Sequence, residues 1–474
     1  MSRILMVTSE AAPFAKTGGL ADVLGALPPA LVKLGEQVVV VMPRYGSVRA
    51  EGVERVVAEM PLSLGPRTFT AAIDQVEREG VRYMFVDCPP LFGRSGIYGE
   101  WGADYLDNHI RFGALNLAAL EIARQISPAD IFHAHDWPAG MLAVYLREIY
   151  AADPALAGAK SVITIHNLGY QGNFPGYLLP DLGLTPVVYT PRGLEFWGNI
   201  NFLKAGIVWS DEITTVSPTY AQEIQTPEYG HGLDGVLRGR AAHTTGILNG
   251  VDYAEWDPES DPLLGQHFSV RNLSGKRLAK QALLREMKLP PNEKRPLIGI
   301  VSRFAGQKGF DLVAAVASEL AELDLAMAVL GSGEPRFEQM FRALAETYPQ
   351  KFAVQIGYDN GLAHRIEAGA DMFLMPSRYE PCGLNQMYSL RYGTVPIVRA
   401  TGGLDDTVDE TTGFKFSPYT PEALLAAIRE ALAAWQDRKL WLERMRRGMA
   451  KDFSWGASAA GYQRLYRNLM GAAV

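Results

Sequence analysis

The sequence predicts an α/β protein with two Rossmann-like, doubly wound domains. Short apolar segments alternate with segments of helical periodicity along most of the chain. Many of the apolar segments are continuous rather than alternating, as expected of parallel strands covered on both faces. These segments form two series, and the 474 residues exceed what one hydrophobic core ordinarily supports. Two sheets are therefore predicted, each with its own helices.

The predicted elements divide the chain into two domains and a terminal helix. The first series of strands comprises residues 4–8, 37–42, 81–86, 130–133, 161–165, 212–216 and 245–248, and the second comprises 297–302, 326–330, 352–356, 372–375 and 395–398. Helices are predicted at 275–287, 311–322, 336–348, 422–435, 437–450 and 455–470. We place an N-terminal domain at 1–248, a C-terminal domain at 249–455, and a final helix at 456–474. Since this helix is more apolar than a solvated tail, we expect it to pack on a domain.

Composition and charge exclude several classes of protein. The net charge of −7 argues against a general nucleic-acid-binding surface. The two cysteines, Cys88 and Cys382, cannot form a disulfide framework or a zinc site. No signal peptide or membrane-spanning segment is recognised, so a reducing cytoplasm and no membrane partner are expected. No feature of the sequence specifies an oligomeric state.

A glycine loop, residues 16–20, follows the first predicted strand and opens a helix. Gly18 and Gly19 let the backbone approach a ligand closely, and the helix N-terminus favours an anion. Lys16 adds a positive charge. The loop matches neither the dinucleotide fingerprint nor a Walker loop. The alternative is an ordinary strand-to-helix turn that Thr17 caps.

Two motifs follow strands of the second series. Residues 302–309 carry Arg303, a planar fork of donors, and Lys308, a point charge, which together suit a diphosphate. Residues 379–385 carry Glu380, which is expected at the same carboxyl edge of the sheet, where ligands of α/β proteins gather. Asn385 is expected to cap the following helix. Solvated cations and a structural carboxylate are the alternatives.

The Thr-Gly-Gly-Leu sequence of residues 17–20 recurs at residues 401–404, each time between a strand and a helix. Two such loops, one in each half, suggest two walls around one charged ligand. We interpret the recurrence as a similarity of physical role and not as proof of duplication.

Histidines follow two strands of the first series, in residues 133–137 and 166–172. A single histidine at a strand end is commonly a hydrogen-bonded structural residue. His133 and His135 could indicate a metal, but only Asp136 supports them nearby, so no metal site is predicted. Asp136 and Trp137 suit a carbohydrate better.

Taken together and in order, these motifs resemble those of bacterial glycogen synthases, which are similar to plant starch synthases. The resemblance covers essentially the whole chain and rests on residues 16–23, 133–137, 166–172, Arg303 with Lys308, 380–384 and 401–404. It implies a GT-B glycosyltransferase fold, with two Rossmann-like domains facing across a deep cleft and a C-terminal helix, residues 456–474, that crosses back to the N-terminal domain. It also implies transfer of glucose from ADP-glucose to the non-reducing end of glycogen or a malto-oligosaccharide, with retention and without a metal or other cofactor.

The resemblance also assigns the site. Arg303 and Lys308 would hold the diphosphate, Glu380 would bind glucose hydroxyls, and His166 would lie at the reacting carbon. Tyr358 would stack on adenine. The full set of implied substrate-binding residues is Lys16, Gly18, Gly19, Asp22, Tyr98, Asp136, Asn249, Gln307, Tyr358, Cys382, Gly383, Leu384, Thr401, Gly402 and Gly403.

Three alternatives are weighed against this function. A retaining transferase that uses UDP-glucose or another nucleotide sugar would carry the same motifs. A non-catalytic glucan- or nucleotide-binding protein is disfavoured, since His166, Arg303, Lys308 and Glu380 are all present. A dehydrogenase is disfavoured because the dinucleotide fingerprint is missing. Retention ordinarily requires a second carboxylate as nucleophile. None of the motifs supplies one, so front-face attack is expected.

Overall fold

The computed structural model describes residues 1–471, so the last residues of the predicted terminal helix, 472–474, lie outside the described part. The described chain forms two units. Unit 1 comprises Met1–Val216, Ala221–Gly250 and the described residues from Trp455 onward. Unit 2 comprises Ser217–Tyr220 and Val251–Ser454.

Unit 1 is built on a nine-stranded sheet with two small accessory sheets. Its strands are β1 (Arg3–Val7), β2 (Gln37–Pro43), β3 (Glu54–Leu64), β4 (Arg67–Arg78), β5 (Val81–Asp87), β6 (Gly99–Glu100), β7 (Ala103–Asp104), β8 (Ile131–His135), β9 (Lys160–Ile165), β10 (Asn173–Pro175), β11 (Glu195–Phe196), β12 (Asn199–Asn201), β13 (Glu212–Thr215) and β14 (Thr244–Gly246). The large sheet has the order β14-β13-β9-β8-β1-β2-β5-β4-β3 and is parallel from β14 to β5. The accessory sheets are β10-β12-β11 and β6-β7.

All seven strands predicted for the first half are present, but the antiparallel pair β3 and β4 is not predicted by the sequence. β3 is an edge strand, and only three of its eleven residues are buried. Register shifts between Arg55 and Val57, and between Val57 and Met60, also change which face of the strand a side chain occupies. Both features remove the regular alternation by which a strand is recognised in sequence.

Unit 2 is built on a six-stranded parallel sheet. Its strands are β15 (Leu297–Val301), β16 (Ala326–Gly331), β17 (Phe352–Ile356), β18 (Met372–Met375), β19 (Val395–Arg399) and β20 (Phe414–Phe416), in the order β17-β16-β15-β18-β19-β20. All five strands predicted for this half are present. The sequence does not predict β20, which has only three residues.

The helices flank these sheets. They are α1 (Gly19–Lys33), α2 (Pro89–Phe92), α3 (Asn108–Gln125), α4 (Leu142–Glu148), α5 (Phe202–Trp209), α6 (Pro218–Glu223), α7 (Asp234–Gly239), α8 (Ser274–Glu286), α9 (Phe310–Ala315), α10 (Ala317–Glu322), α11 (Pro335–Thr347), α12 (Asn360–Gly369), α13 (Asn385–Arg391), α14 (Gly402–Thr407), α15 (Pro421–Trp435), α16 (Arg438–Met449) and α17 (Trp455–Leu469). Short 3₁₀ segments occur at Trp137–Ala139, Gly176–Leu182, Pro186–Val188, Ala241–His243 and Gly306–Lys308. The single helix expected at 311–322 is two helices, α9 and α10, because Val316 leaves the helical conformation between them. None of the helices within residues 1–471 combines the length and apolarity needed to cross a bilayer.

The terminal helix α17 packs within unit 1 against α1. Tyr462 and Tyr466 are fully buried, and the Tyr466 hydroxyl lies 2.7 Å from Nδ1 of His133 in the middle of β8. At its polar edge, Gln463 donates to a carboxylate oxygen of Glu36 at 2.8 Å. The apolar residues of the final helix are thus accounted for by the core of unit 1.

Candidate functional site

The sheet of unit 1 has a topological switch point between β1 and β8. These strands are neighbours, but the chain proceeds from β1 to β2 on one side and from β8 to β9 on the other. In open α/β sheets, ligands bind beyond the carboxyl ends of the strands at such a point. The loops that follow β1, β8 and β9 carry the glycine loop, Asp136 and His166, respectively. The structure therefore brings three of the predicted motifs to one edge of this sheet.

The glycine loop already binds an internal carboxylate. Glu10 is buried and accepts hydrogen bonds from the N–H groups of Thr17 and Gly18, the latter at 3.2 Å. It also accepts from the hydroxyls of Thr17, at 2.8 Å, and Tyr98, at 2.5 Å. The alternative in which Thr17 caps α1 is therefore wrong, because its side chain is bonded to Glu10 and the N-cap position is Gly18. Sequence reasoning missed Glu10, since a lone acidic residue after a strand carries no distinguishing signal.

Gly18 and Gly19 are not required by the fold. Gly18 has extended backbone, with φ at −156°, and a Cβ on either residue would meet no atom within 4 Å. Both glycines are exposed. Lys16 and Asp22 lie beside them as an exposed ion pair, with Nζ and Oδ1 2.6 Å apart. Neither a special backbone conformation nor close packing therefore requires these glycines, and the space beside them is open.

A cluster of histidines lies on β8 and directly after β9. His133 is buried, with Nδ1 2.7 Å from the Tyr466 hydroxyl and Nε2 2.6 Å from the Thr164 hydroxyl. His135 Nδ1 lies 3.0 Å from His166 Nε2. Burial lowers the pKa of both His133 and His166 to about 3. These imidazoles are therefore neutral, and they can act as hydrogen-bonding groups but not as cations at neutral pH.

Asp136 combines an unusual backbone with a perturbed carboxyl group. Its φ of 55° and ψ of −173° lie in a region that is almost confined to glycine. Its Oδ1 accepts the N–H of His166 at 2.7 Å, which fixes the start of the 166–172 segment. Burial raises the pKa of the Asp136 carboxyl to about 7, against the opposing effect of the His166 and Asn167 amides. Strain and a shifted pKa at one residue are typical of functional sites.

Two other predicted residues of unit 1, Tyr98 and Asn249, are packed among neighbouring side chains or buried. The Tyr98 ring packs near Trp137, with centroids 6.1 Å apart, and its hydroxyl is bonded to Glu10 and Ser9. Trp137 leaves no room for a side chain at Gly172, where a Cβ would lie 2.4 Å from the indole. Asn249 is buried, and its Oδ1 has no hydrogen-bond partner among residues 1–471.

Unit 2 has its own switch point, between β15 and β18. The chain proceeds from β15 to β16 on one side, whereas β18 is followed by β19 on the other. The segments after β15, β18 and β19 are the three motifs predicted from sequence, at residues 302–309, 379–385 and 401–404. The structure brings them together because these three strands are neighbours in the sheet.

An ion pair between Lys308 and Glu380 lies at this edge. Lys308 Nζ is 2.6 Å from Glu380 Oε2, and the Glu380 side chain is only 7% exposed. Ser377 donates a second hydrogen bond to the same oxygen at 3.1 Å. Gln307 donates to the carbonyl of Tyr379 at 3.3 Å, which joins the two motifs again. Both printed bonds are to Oε2 of Glu380, so the carboxylate keeps acceptor capacity at the carboxyl edge of the sheet.

Arg303 and Tyr358 are the exposed members of the unit 2 set. Within residues 1–471, no ion pair or side-chain hydrogen bond engages the Arg303 guanidinium, so all five of its N–H donors are available. Tyr358 is 84% exposed and donates only to Asn360, at 3.0 Å. A large exposed aromatic ring and an uncommitted guanidinium on the same unit suit recognition of a nucleotide.

The loop at 401–404 is held by the backbone of the 380–384 segment. The Gly403 amide donates to the carbonyls of Glu380 and Pro381, both at 3.2 Å. A Cβ on Gly402 would lie 1.9 Å from the Glu380 carbonyl oxygen, and one on Gly403 would lie 2.1 Å from that of Cys382. Unlike Gly18 and Gly19, these glycines are required by packing. The recurrence of Thr-Gly-Gly-Leu thus has different physical causes in the two units.

The remaining predicted residues of the 379–385 motif shape the turn into α13. Gly383 has a φ of +70°, and the carbonyl of Leu384, the N-cap residue, accepts the amide of Met387 at 2.9 Å. The expectation that Asn385 caps this helix is wrong, because its side chain donates to the carbonyl of Val301 at 2.7 Å. That bond fixes the motif to the end of β15. Cys382 and Thr401 are buried beneath the loop surface.

Two family descriptions match the sequence. Residues 3–239 match the starch synthase catalytic domain, and residues 285–447 match the glycosyl transferases group 1. A glycogen synthase from Koribacter versatilis is 50% identical over 471 residues, covering 98% of this chain and 97% of that protein. One from Anaeromyxobacter dehalogenans is 52% identical over 478 residues, covering 98% and 99%.

A solved structure also matches over nearly the full length. The catalytic domain of starch synthase IV from Arabidopsis thaliana, bound to ADP and acarbose, is 32% identical and has a TM-score of 0.89. The match covers 99% of each chain. Both Rossmann-like sheets predicted from the sequence therefore have counterparts in a protein of known structure.

Proposed function

Since this chain belongs to the family of glycogen and starch synthases, we infer that it is a glucosyltransferase that transfers glucose from ADP-glucose to the non-reducing end of an α-1,4-glucan. Transfer retains the anomeric configuration and releases ADP. The observation that carries this inference within the molecule is the edge of the unit 2 sheet, where Arg303, Lys308 and Glu380 lie at a topological switch point. We place the reaction in the cytoplasm, with glycogen or a malto-oligosaccharide as acceptor.

Arg303 and Lys308 are proposed to bind the diphosphate of the donor. When the bond from glucose C1 to the phosphate oxygen breaks, its electron pair leaves with ADP, and negative charge develops on that oxygen. A guanidinium without an internal partner can bind two phosphate oxygens, and Lys308 adds a second positive charge from the same segment, residues 302–309. Fixed cations aimed at developing charge are among the strongest contributions to catalysis.

Glu380 is proposed to bind hydroxyls of the donor glucose. Its Oε2 is already bonded to Lys308 and Ser377. These two bonds fix the orientation of the carboxylate, whose remaining lone pairs can accept hydrogen bonds from sugar hydroxyls. The segment Cys382–Leu384 and the loop at 401–403 would complete the sugar and phosphate contacts, with Gln307 at their base. Tyr358, with its exposed ring, is proposed to stack on adenine.

The groups proposed from unit 1 are His166, Asp136 and the glycine loop. His166 is neutral because burial lowers its pKa to about 3, so we assign it a hydrogen bond to the glucose and not a charge. Gly18 and Gly19 would approach the phosphates, and Lys16 and Asp22 would flank them. Asn249 has an unpaired buried Oδ1 that a ligand hydroxyl could satisfy. Tyr98 would contribute by holding Glu10 beneath the loop.

Retention is proposed to proceed by front-face attack. The acceptor hydroxyl forms the new bond to C1 on the side from which ADP departs, and its proton passes to the departing phosphate oxygen. Double displacement would instead require a carboxylate nucleophile on the opposite face. Glu380 is poorly suited to that role because its carboxylate is bonded to Lys308 and Ser377.

The experiment that tests the function compares ADP-glucose with UDP-glucose, with glycogen as acceptor. Nucleoside diphosphate release and incorporation of labelled glucose into polymer should occur together. The kcat/KM should be higher with ADP-glucose than with UDP-glucose. Preference for UDP-glucose would support the rival transferase. Tight binding of ADP-glucose without any ADP release would support a non-catalytic binding protein.

Alanine substitution of glycines should separate a ligand-contacting loop from a structural one. Gly18→Ala should change unfolding free energy by less than about 0.5 kcal/mol, because its Cβ would meet no atom within 4 Å. It should nevertheless raise KM for ADP-glucose, since the methyl group would stand where the phosphates approach. Gly403→Ala should lower the melting temperature of unit 2, because its Cβ would lie 2.1 Å from a carbonyl oxygen. If Gly18→Ala left KM unchanged, the glycine loop would have no role in donor binding.

The pH dependence of kcat/KM should report Asp136. Since burial raises its pKa to about 7, the carboxyl is protonated below that pH and becomes the stronger hydrogen-bond acceptor for the His166 amide above it. Activity should therefore rise through about pH 7 and level off at higher pH. His166, with a pKa near 3, should contribute no titration above pH 5. In Asp136→Asn the rise should be absent and the plateau lower, and a rise that persists in this variant would assign the titration to another group.

A further inference from the structure

His135 and His166 form a direct imidazole–imidazole contact. His135 Nδ1 lies 3.0 Å from His166 Nε2, and the ring centroids are 5.3 Å apart. His135 is fully buried. His166 is the histidine proposed to contact the donor glucose. Its hydrogen bond with His135 occupies Nε2 and leaves Nδ1 as the nitrogen available to a ligand.

Both rings are neutral. Burial lowers the pKa of His166 to about 3, and burial together with the neighbouring histidines lowers that of His135 well below its usual value. Each neutral imidazole carries one proton, so this contact must be an N–H···N hydrogen bond with one donor and one acceptor. Two arrangements are possible, and they differ in the nitrogen of His166 that bears the proton.

The other nitrogen of His135 decides between these arrangements. His135 Nε2 is buried and has no hydrogen-bond partner among residues 1–471. Among buried backbone groups, an N–H without an acceptor is rarer than a carbonyl without a donor, and we apply the same preference to the imidazole. The His135 proton therefore belongs on Nδ1, which donates to His166 Nε2. The proton of His166 must then reside on its Nδ1.

We infer that His135 is a positioning residue, which holds His166 in the Nδ1–H tautomer so that this N–H can donate a hydrogen bond to a hydroxyl or ring oxygen of the donor glucose. This inference rests on the proposed function for the identity of the ligand, but not for the tautomer itself. In the opposite tautomer, His166 would offer the sugar a lone pair. The two tautomers of His166 therefore differ at Nδ1, which is a hydrogen-bond donor in one and an acceptor in the other.

The surroundings of His135 hold it in this orientation. The His133 ring packs against it with centroids 4.2 Å apart and planes inclined by 32°. His133 is itself bonded on one side to Tyr466 of α17 and on the other to Thr164, which is bonded to Thr214 at 2.6 Å. His135 thus rests on a fully hydrogen-bonded layer, and its Nδ1 is the atom that reaches beyond this layer to His166.

Nitrogen-15 NMR of histidine-labelled enzyme measures the tautomer directly. The chain has eight histidines, and the signals of His166 are assigned by their loss in His166→Asn. In the free wild-type enzyme, Nδ1 of His166 should show the shift of a protonated nitrogen and Nε2 that of a bare one. The reverse pattern would overturn the inference. This readout needs no substrate, so it stands apart from success or failure of the glucosyltransferase assay.

Substitutions at His135 supply the kinetic half of the test. His135→Leu removes the donor and should lower kcat on the order of 10²-fold, with KM for ADP-glucose little changed. His135→Asn places an amide N–H near the position of Nδ1 and should restore most of kcat and the wild-type tautomer. His135→Gln places its amide near the position of Nε2 and should restore neither. Equal recovery by Asn and Gln, or full kcat in His135→Leu, would show that His135 only fills space.

Tyr466→Phe is the matched control. It removes one hydrogen bond from the layer beneath His135 but leaves the contact between His135 and His166 in place. It should lower the melting temperature while keeping the His166 tautomer and kcat near wild-type values. A tautomer change in this variant would overturn the assignment to His135, because it would trace the control of His166 to the packed layer as a whole.

Discussion

Replacement of Arg303 by alanine should lower kcat on the order of 10³-fold while leaving the fold intact. The guanidinium lies at the carboxyl end of β15, and within residues 1–471 it takes part in no ion pair. Its removal therefore breaks no ion pair among these residues, and the loss should fall on the contact proposed with the leaving diphosphate. Initial rates with ADP-glucose and glycogen measure the loss of turnover, and the melting temperature measures whether the fold is intact.

Arg303→Lys and Arg342→Ala are the controls for this prediction. Lysine keeps the charge but loses the planar fork, so activity should be only partly recovered. Arg342 is an exposed arginine on α11 of the same unit, 3.8 Å from Glu338, and its loss should leave turnover unchanged. Wild-type turnover in Arg303→Ala would remove the central group from the proposed mechanism.

Loss of Lys308 should affect both activity and stability. In Lys308→Ala the Glu380 carboxylate, 7% exposed, loses its cation at 2.6 Å. Removal of one partner from a fully buried pair costs about 3–5 kcal/mol. Since Lys308 is 20% exposed, the loss here should be smaller, but the melting temperature of unit 2 should still fall. Turnover should fall on the order of 10³-fold as well, because one of the two positive charges proposed to bind the diphosphate is gone.

The double variant Lys308→Met/Glu380→Gln separates these two effects. It removes both charges and leaves no unpaired buried carboxylate, so most of the lost stability should return. Activity should stay low, since the cation proposed to bind phosphate and the carboxylate proposed to bind the sugar are both absent. Recovery of activity along with stability would show that the pair supports the fold and does not contact the donor.

The sequence predicts both sheets well because parallel strands covered on both faces are continuous apolar segments. Elements that lack this pattern are missed. The edge strand β3 is mostly exposed and has two register shifts, and β20 has only three residues. At Val316 the sequence keeps helical periodicity although the backbone leaves the helix, since periodicity reports which faces are buried and not where hydrogen bonds break.

The candidate site is likewise predicted in part from the sequence. The motifs predict which loops gather at each sheet edge, because strand order and carboxyl ends determine that placement. They do not predict which contacts the side chains make before a ligand binds. Glu10 beneath the glycine loop and the bond from Asn385 to Val301 depend on the folded path of the chain. The different causes of the two Gly-Gly pairs are visible only when a Cβ is placed on each.

The docking of α17 has a consequence for synthesis of the protein. Tyr466 completes the core of unit 1 by contact with His133, which precedes it by 333 residues. At about 5–20 residues per second, the ribosome needs on the order of half a minute to make the intervening chain. During that time, the nascent N-terminal sheet exposes the apolar surface that α17 later covers. We therefore expect newly made chains, and chains that end before residue 455, to be recognised by chaperones that bind apolar surface.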